Sequence, residues 1–433
     1  MAELEEYTDD YLAIEELAAA EMRSRGDAID AAWAYYRGDF RQPLKVEAGQ
    51  PNDNVIVNLV KRVVNQTVSM LVGYPPGFEA ATPALSTVLG DVWDANHLAI
   101  FLHKLVMNGA LSGHNFVKLL PDTAKGVRLV ALNPRLVTVY WKPEDLEEVV
   151  AYKIQWARGP VTYRQDVVKR GDVWQVIDMT HTAGAAWTVT GDEVWPWPFA
   201  PVVDWQNLPD PEGYYGQSDL TGAHLNDNMN LVASNTSRII KIHAHPKTIG
   251  TGMKPADVLK TSIDSFWAVP SPDAKLYNLE MQSDLGSSMA FMQFLAASFY
   301  AEHQAVDIAT IKDKIGQLTN LGLRLFYKDA LDKTTTKQML YGAGLRDISE
   351  HILQLLGYGE QRVELVWQDM LPNNDLEEIS AIQQEVDLGI LSRETATGLR
   401  NRDWKLEQKR IVDEEVLPGN EGASILAALG RAA

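Results

Sequence analysis

Residues 216–242, GQSDLTGAHLNDNMNLVASNTSRIIKI, and residues 284–304, DLGSSMAFMQFLAASFYAEHQ, bracket a small insert at 243–283. Both flanks read as helices. In the first, Leu220, Leu225, Met229, Val232, Ile239 and Ile240 are spread among Asn, Asp, Ser and Thr. That is a thin apolar stripe beside a wide polar face, which suits a neighbour on one side and water on the other. The second carries Leu285, Met289, Phe291, Met292, Phe294, Leu295, Phe299 and Tyr300. Apolar residues reach nearly all round it, so the pattern predicts burial between neighbours. The insert, with four prolines and a short helix over Ala256–Phe266, is too small for a core of its own. Two helices that leave one body, carry a small domain and return describe a stalk with a tip.

A break at 305–317 leads into a long helix ending near Leu356, with a kink predicted around Thr334–Thr336 and Gly342. Upstream, helical spacing covers Thr8–Arg37, Asn54–Leu71 and Leu85–Gly113. From Asn115 to about Trp205 the pattern turns to strands. Val150, Tyr152, Ile154 and Trp156 alternate with Ala151, Lys153 and Gln155, a period of two. Most of the tryptophans fall in this β region and its exit, where packing in the sheet is their first reading and stacking on sugar rings the second. Downstream, Val363–Trp367 reads as one more strand. Asn373-Asn374 caps a helix over Leu376–Leu388 that Gly389 stops, and shorter helices run to Glu415. The tail from Pro418 is expected to fray. The fold class is α+β and mainly helical.

Composition removes several chemistries. The 433 residues contain no cysteine, which excludes disulfides, thiolate metal sites and cysteine nucleophiles. No apolar run approaches the roughly 20 residues that span a bilayer, so no membrane partner is expected. There is no phosphate-binding Gly-rich loop followed by Lys-Ser/Thr, and no Gly-x-Ser-x-Gly elbow. His243-Ala-His245 could place two imidazoles on one strand face, but no third ligand is marked. No cofactor, metal or catalytic residue is assigned. The formal net charge of −19 argues against tight, sequence-independent grip on nucleic acid. It is compatible with a duplex that must slide past without adhering, and equally with solubility alone.

Several short motifs recur in one order: Tyr35-Tyr36-Arg37-Gly38; Asn52-Asp53-Asn54; Val72-Gly73-Tyr74-Pro75; Pro201-Val-Val-Asp-Trp-Gln-Asn207; Gln217-Ser-Asp-Leu220; Asp227-x-Met-Asn; Gly316-Gln-Leu-Thr-Asn-Leu-Gly-Leu; and Leu388-Gly-Ile-Leu-Ser-Arg-Glu-Thr395. In this order the chain resembles tailed-bacteriophage portal proteins of the type found in long-tailed phages of Gram-positive hosts. The likeness covers Tyr35 to Val416. The segment opening the long helix, 316–322, is poorer in Ser and Gly than is usual in relatives.

The resemblance implies a homo-oligomeric ring, expected to have twelve subunits, at one capsid vertex of the virion, assembled in the host cytoplasm. It implies a wing at 1–215 (helices within 8–113, β-rich 115–205) and a stem of 216–242 and 284–304. A clip at 243–283, a tunnel loop at 305–317, a long wing helix and strand at 318–372, a crown at 373–417 and a flexible tail at 418–433 complete it. Expected partners are double-stranded DNA passing through the channel, the terminase large subunit, a head-completion or adaptor protein, and major capsid and scaffolding proteins. The implied roles are genome packaging, genome ejection and head assembly, without enzymatic activity. Lys312 and Lys314 in the tunnel loop are candidates for light phosphate contact. Lys247, Lys254 and Lys260 in the clip are candidates for a terminase or DNA surface. Twelve copies would carry on the order of −230, favouring a non-adhesive channel. Two other readings stay open: a ring-forming adaptor with no DNA role, and an acidic, Trp-rich carbohydrate-active enzyme.

Overall fold

The computed structural model describes residues 8–46, 52–142, 144–220, 222–244, 248–251, 275–278, 285–308, 320–370, 375–399 and 404–416. Helices and antiparallel strands mix throughout, an α+β architecture. The chain divides into two compact units, one of Met1–Gln317 with Leu323–Met370, the other of Leu318–Gly322 with Leu371–Ala433.

The first unit opens with four helices: α1 (Thr8–Arg37), α2 (Leu59–Val72), α3 (Pro83–Ala95) and α4 (Leu98–Ser112). Two boundaries differ from the sequence expectation. The helix predicted from Asn54 starts at Leu59, because the Asn58 side chain caps the Lys61 amide at 2.9 Å. The helix predicted over 85–113 is two helices, broken at Asn96-His97, where His97 has φ +57°. The cause is the buried Asn96 amide. It donates to the Val127 carbonyl (2.8 Å) and accepts from the Leu129 amide (3.0 Å), holding the break against a strand.

Strands β2 (His114–Asp122), β3 (Gly126–Ala131) and β9 (Val202–Gln206) form a three-stranded antiparallel sheet in the order β3-β2-β9. A five-stranded meander follows the chain through β4 (Val137–Lys142), β5 (Asp145–Arg158), β6 (Val161–Arg170), β7 (Val173–Thr182) and β8 (Thr188–Trp195). Of the alternating residues in β5, Tyr152 and Ile154 are buried, Val150 is half-buried and Trp156 is exposed, while Ala151 on the other face is buried as well. Strand β8 was not apparent in the sequence: it is the sheet's edge, exposed along most of its length, with little apolar alternation to betray it. Trp174 and Trp195 pack with Val139, Tyr152 and Phe116, while Trp93 and Trp205 sit in the helical core, so these tryptophans serve packing. The short strands β1 (Gly77–Ala80) and β12 (Val363–Val366) pair antiparallel.

Helix α8 (Lys328–Leu355) crosses the helical core, setting Leu345, Ile348 and Ile352 among Leu102, Leu105 and Val106 of α4. Helix α8 runs unbroken through Thr334–Thr336 and Gly342, where an interruption was expected. Within it Thr334 and Thr336 donate their hydroxyls to the Ala330 and Asp332 carbonyls four residues back. Gly344 is there for contact: a Cβ at that position would lie 2.2 Å from the Trp205 ring. The interruption instead falls at Tyr327, between α7 (Asn320–Phe326) and α8.

The second unit contains α9 (Asp375–Asp387), α10 (Arg393–Leu399) and α11 (Trp404–Val416). Gly389 takes φ +73° just after α9, and the Ser392 hydroxyl accepts the Thr395 amide at 3.1 Å to start α10.

Candidate functional site

The flanking segments of the insert form α5 (His224–Ala244) and α6 (Leu285–Glu302), which pack on one another and on α2. Within the insert, strands β10 (Thr248–Thr251) and β11 (Lys275–Asn278) pair antiparallel.

The polar face of α5 does not look out at water, as its composition had suggested. Asn226, Asn230, Ser234 and Arg238, four residues apart, share one face of the helix and meet the irregular segment 53–58 and the start of α2. Asn226 accepts from the Leu59 amide (2.9 Å) and donates to the Val57 carbonyl (2.8 Å). Asn230 accepts from the Val57 amide (2.8 Å), and the Ser234 hydroxyl from the Val55 amide (2.9 Å). Arg238 donates to both Asp53 carboxylate oxygens (2.8 and 3.1 Å) and to the Lys45 carbonyl (3.0 Å). Its guanidinium holds the Asp53 carboxyl below the usual carboxylate range. The helix thus plays the part of a neighbouring strand, satisfying the alternate amides of Val55, Val57 and Leu59 with side chains. Asn226, Asn230 and Ser234 are fully buried.

Helix α6 divides in two. Leu295, Phe299 and Tyr300 are buried against α2 and α5. From Leu285 to Phe294 no side chain is buried, and Met289, Phe291 and Phe294 are 56%, 50% and 63% exposed. The expectation of burial therefore fails for this half within a single chain. An apolar half-helix outside its own fold marks a contact surface.

At the root of the pair lies a buried ion cluster. Asp219, fully buried, accepts from Lys337 Nζ at 2.6 Å and faces Lys333 Nζ at 3.2 Å. Lys333 also donates to the His303 carbonyl just past α6 (3.1 Å). Asn207 reaches Asp219 at 3.4 Å and accepts from the Tyr341 hydroxyl at 2.9 Å. Burial alone would raise the Asp219 carboxyl, yet Lys337 and Lys333 together hold it below its ordinary value. Burial presses Lys337 down to about 8 against the pull of Asp219. The cluster joins the segment leading into α5, the end of α6 and the middle of α8. Ahead of it, Arg62 of α2 lies 3.6 Å from Asp307, and the Val306 amide donates to Gln66 (3.1 Å).

A second polar cluster lies in the β region. Asp204 sits 2.8 Å from His114 Nε2 and accepts the Tyr152 hydroxyl at 2.6 Å and that of Tyr214. Burial keeps the His114 imidazole below its ordinary value, so it is neutral at pH 7. The cluster borders a cavity of about 720 Å³, and among the described residues no serine or threonine lines it. Through these bonds Asp204 of β9 is tied to His114 of β2 and Tyr152 of β5.

Neither buried cluster was anticipated from the sequence. Asp219 appeared only inside a motif. The candidates Lys247, Lys254, Lys260, Lys312 and Lys314 all lie outside the described residues. His243 is the penultimate residue of α5, and His245 also lies outside them. Among the described residues no group of three or more metal-ligating side chains occurs, and no helix is long and apolar enough to cross a membrane.

Residues 217–415 match the family described as "Phage portal protein, SPP1 Gp6-like". The resemblance drawn from the motifs is borne out over that stretch, which contains α5, α6, the ion cluster and α8. Solved structures that match include a chain of the "Virion of native gene transfer agent (GTA) particle". It is 14% identical, with 79% of this chain and 89% of that chain covered, at a TM-score of 0.49. No curated protein matches the sequence.

Proposed function

We propose that this chain is the subunit of a portal ring, set at one vertex of a capsid, through which double-stranded DNA passes during packaging and ejection. The observation that carries the reading is the apolar half of α6 left outside its own fold, within the stretch that matches the portal family. In a ring that surface meets the adjacent copy, and its exposure in one chain has a reason. On this reading α5 and α6 are the stem and 243–283 the clip that faces terminase and head-completion proteins. Residues 305–317 form the tunnel loop with Lys312 and Lys314 toward DNA, 1–215 with the long helix form the wing, and 373–417 the crown. Twelve copies in the virion, with capsid and scaffolding partners, complete the proposal.

The test is the mass of the purified protein in solution together with negative-stain images. An annulus with a central hole, at roughly twelve subunit masses, is the expected result. A species that stays monomeric at high concentration and binds sugars would refute it in favour of the carbohydrate-active reading. A ring that neither binds terminase nor supports packaging would favour an adaptor. Deleting residues 307–317 should leave ring assembly intact and impair packaging. Normal packaging by that variant would remove the tunnel-loop assignment.

A further inference from the structure

The cavity of about 720 Å³ beside Asp204 opens between the start of β5 and the loop 210–214. Its walls are aromatic: Tyr152, Trp174, Trp205 and Tyr214 line it. These rings are held in place. Tyr214 stacks on Trp141 with ring centres 4.8 Å apart, and Tyr152 packs on Trp174 at 6.2 Å. One side chain pins the loop. Gln206 donates to the Gly213 and Tyr214 carbonyls (3.0 and 3.1 Å) and accepts from the Asp210 amide (2.9 Å). The cavity is thus preformed, and a ligand need not order it.

Its charge is one-sided. Glu147, Glu148, Asp204 and Asp210 line it, and Lys169 is the one basic side chain among the described lining residues. Lys169 lies 3.6 Å from Glu148, which Lys142 also holds at 2.7 Å. Asp204 differs from the other acids in depth, with its side chain 7% exposed. Its hydrogen-bond donors are the His114 imidazole and the Tyr152 and Tyr214 hydroxyls. All three are neutral at pH 7, so they satisfy its oxygens without cancelling its charge. No lysine or arginine is paired with it among the described residues. A buried charge without a counter-ion is costly, and a bound cation relieves that cost. A metal ion does not suit the place: among the described residues no three metal-ligating side chains converge. Aromatic faces attract an organic cation instead, through the ring quadrupole.

We propose that this cavity binds a guanidinium or ammonium group, carried by a small organic amine or by an arginine or lysine side chain of a partner protein. Asp204 supplies the counter-charge, the four rings the walls, and Glu147 and Asp210 a negative approach. The lining residues fall within 114–214, ahead of the stretch matched to the portal family, and the inference does not depend on the portal reading.

The test titrates the full-length protein with n-butylguanidinium in a calorimeter, with N-butylurea as its neutral twin of the same shape. The expected result is one-site binding of the cation in the roughly millimolar range or tighter, and none of the urea. Asp204→Asn should weaken the binding roughly tenfold or more, since it removes the counter-charge at constant volume. Because Asp204 also ties three side chains together, Glu147→Gln/Asp210→Asn serves as a second variant. Its affinity should drop about threefold and depend less on salt. Agmatine and N-acetyl-arginine methylamide then separate the two sources, the tighter of them pointing to a free amine or to a protein side chain. Equal binding of cation and urea, no binding of the cation at about 10 mM, or unchanged affinity in both variants overturns the proposal.

Discussion

Replacing Asp219 by Asn removes one charge and almost no volume, and leaves two lysines buried without a counter-ion. Asp219 and the Lys337 side chain are 0% exposed, and Lys333 is 5% exposed. Removing one partner of a buried pair costs about 3–5 kcal/mol, because the remaining charge stays uncompensated. The molecule has one escape, which is to release a proton from Lys337. Burial already holds that lysine at about 8 in the fold, so shedding its proton at pH 7 costs about 1.4 kcal/mol more. The expected loss at pH 7 therefore runs from about 1.4 kcal/mol if Lys337 sheds its proton to about 3–5 kcal/mol if it stays charged. It should shrink as pH rises toward 10, where the lysine is neutral at little cost. Urea unfolding followed by tryptophan fluorescence measures it directly. Trp205 shares the core that Asp219 underlies, and its ring meets Tyr341 of the same network at 5.7 Å. The double variant Asp219→Asn/Lys337→Met supplies the control. A neutral pair of similar shape should recover much of the loss, since replacing a whole buried pair is often close to neutral. A loss under about 1 kcal/mol for the single variant, or strict additivity in the double, would refute the argument that these charges hold one another.

Other consequences can be checked separately. Between pH 8 and 10.5 the unfolded chain keeps a proton on Lys337 that the fold sheds, so stability should rise with pH by up to about 1.4 kcal/mol per unit. Lys337→Met should lose that rise, and parallel urea-midpoint profiles for the two proteins would contradict it. The pair Phe291→Asp/Phe294→Asp should abolish the ring yet leave the circular dichroism of the subunit unchanged, since each Phe buried at a contact is worth about 1.5–3 kcal/mol; intact rings by light scattering would count against the surface. Asn230→Leu strands the Val57 amide, with an expected cost of about 1–3 kcal/mol and faster amide exchange across 53–59. Gly344→Ala drives a methyl into the Trp205 ring, and overpacking of this kind costs about 1–3 kcal/mol, visible as a lower Tm.

What could be read in the sequence was whatever a local period encodes. The alternation in β5 and the stop at Gly389 are local facts; the stop appears where the pattern puts it, and the alternation holds for Tyr152 and Ile154 but not for Trp156. The apolar character of α6 was also legible, although its meaning was not. A period reports that a face is apolar, and is silent on whether the cover comes from the same chain. The misses share another cause. Asn96 breaks a helix by bonding to strand residues 31 and 33 positions away. Asp219 finds Lys337 across 118 positions, and Asn230 finds Val57 across 173. Each is a polar residue whose partner is a distant backbone or side chain, and no neighbour in sequence announces it. Composition then misleads: an Asn- and Ser-rich helix face reads as wet when it is among the most buried surfaces in the unit.

The two kinds of contact made by the helix pair do different physical work. At its root and along α5 the pair is held to its own chain by hydrogen bonds and ion pairs, which are short and directional. The open half of α6 offers apolar area, which attracts without fixing an angle. A closed ring needs both. Each subunit must repeat the same rotation to its neighbour, and an error in that rotation accumulates around the circle until the ring fails to close or closes at another number. An apolar surface alone would tolerate such errors. A helix pair whose inclination is set by Asn226, Asn230, Ser234, Arg238 and the Asp219 cluster would not. If the portal proposal is right, weakening the directional contacts should therefore broaden the distribution of ring sizes before it prevents assembly, while weakening the apolar face should do the opposite. Counting subunits in class-averaged images of Asn230→Leu, and asking by light scattering whether Phe291→Asp/Phe294→Asp forms any ring, separates the two effects. A single unchanged ring size for Asn230→Leu would mean that the angle is set elsewhere.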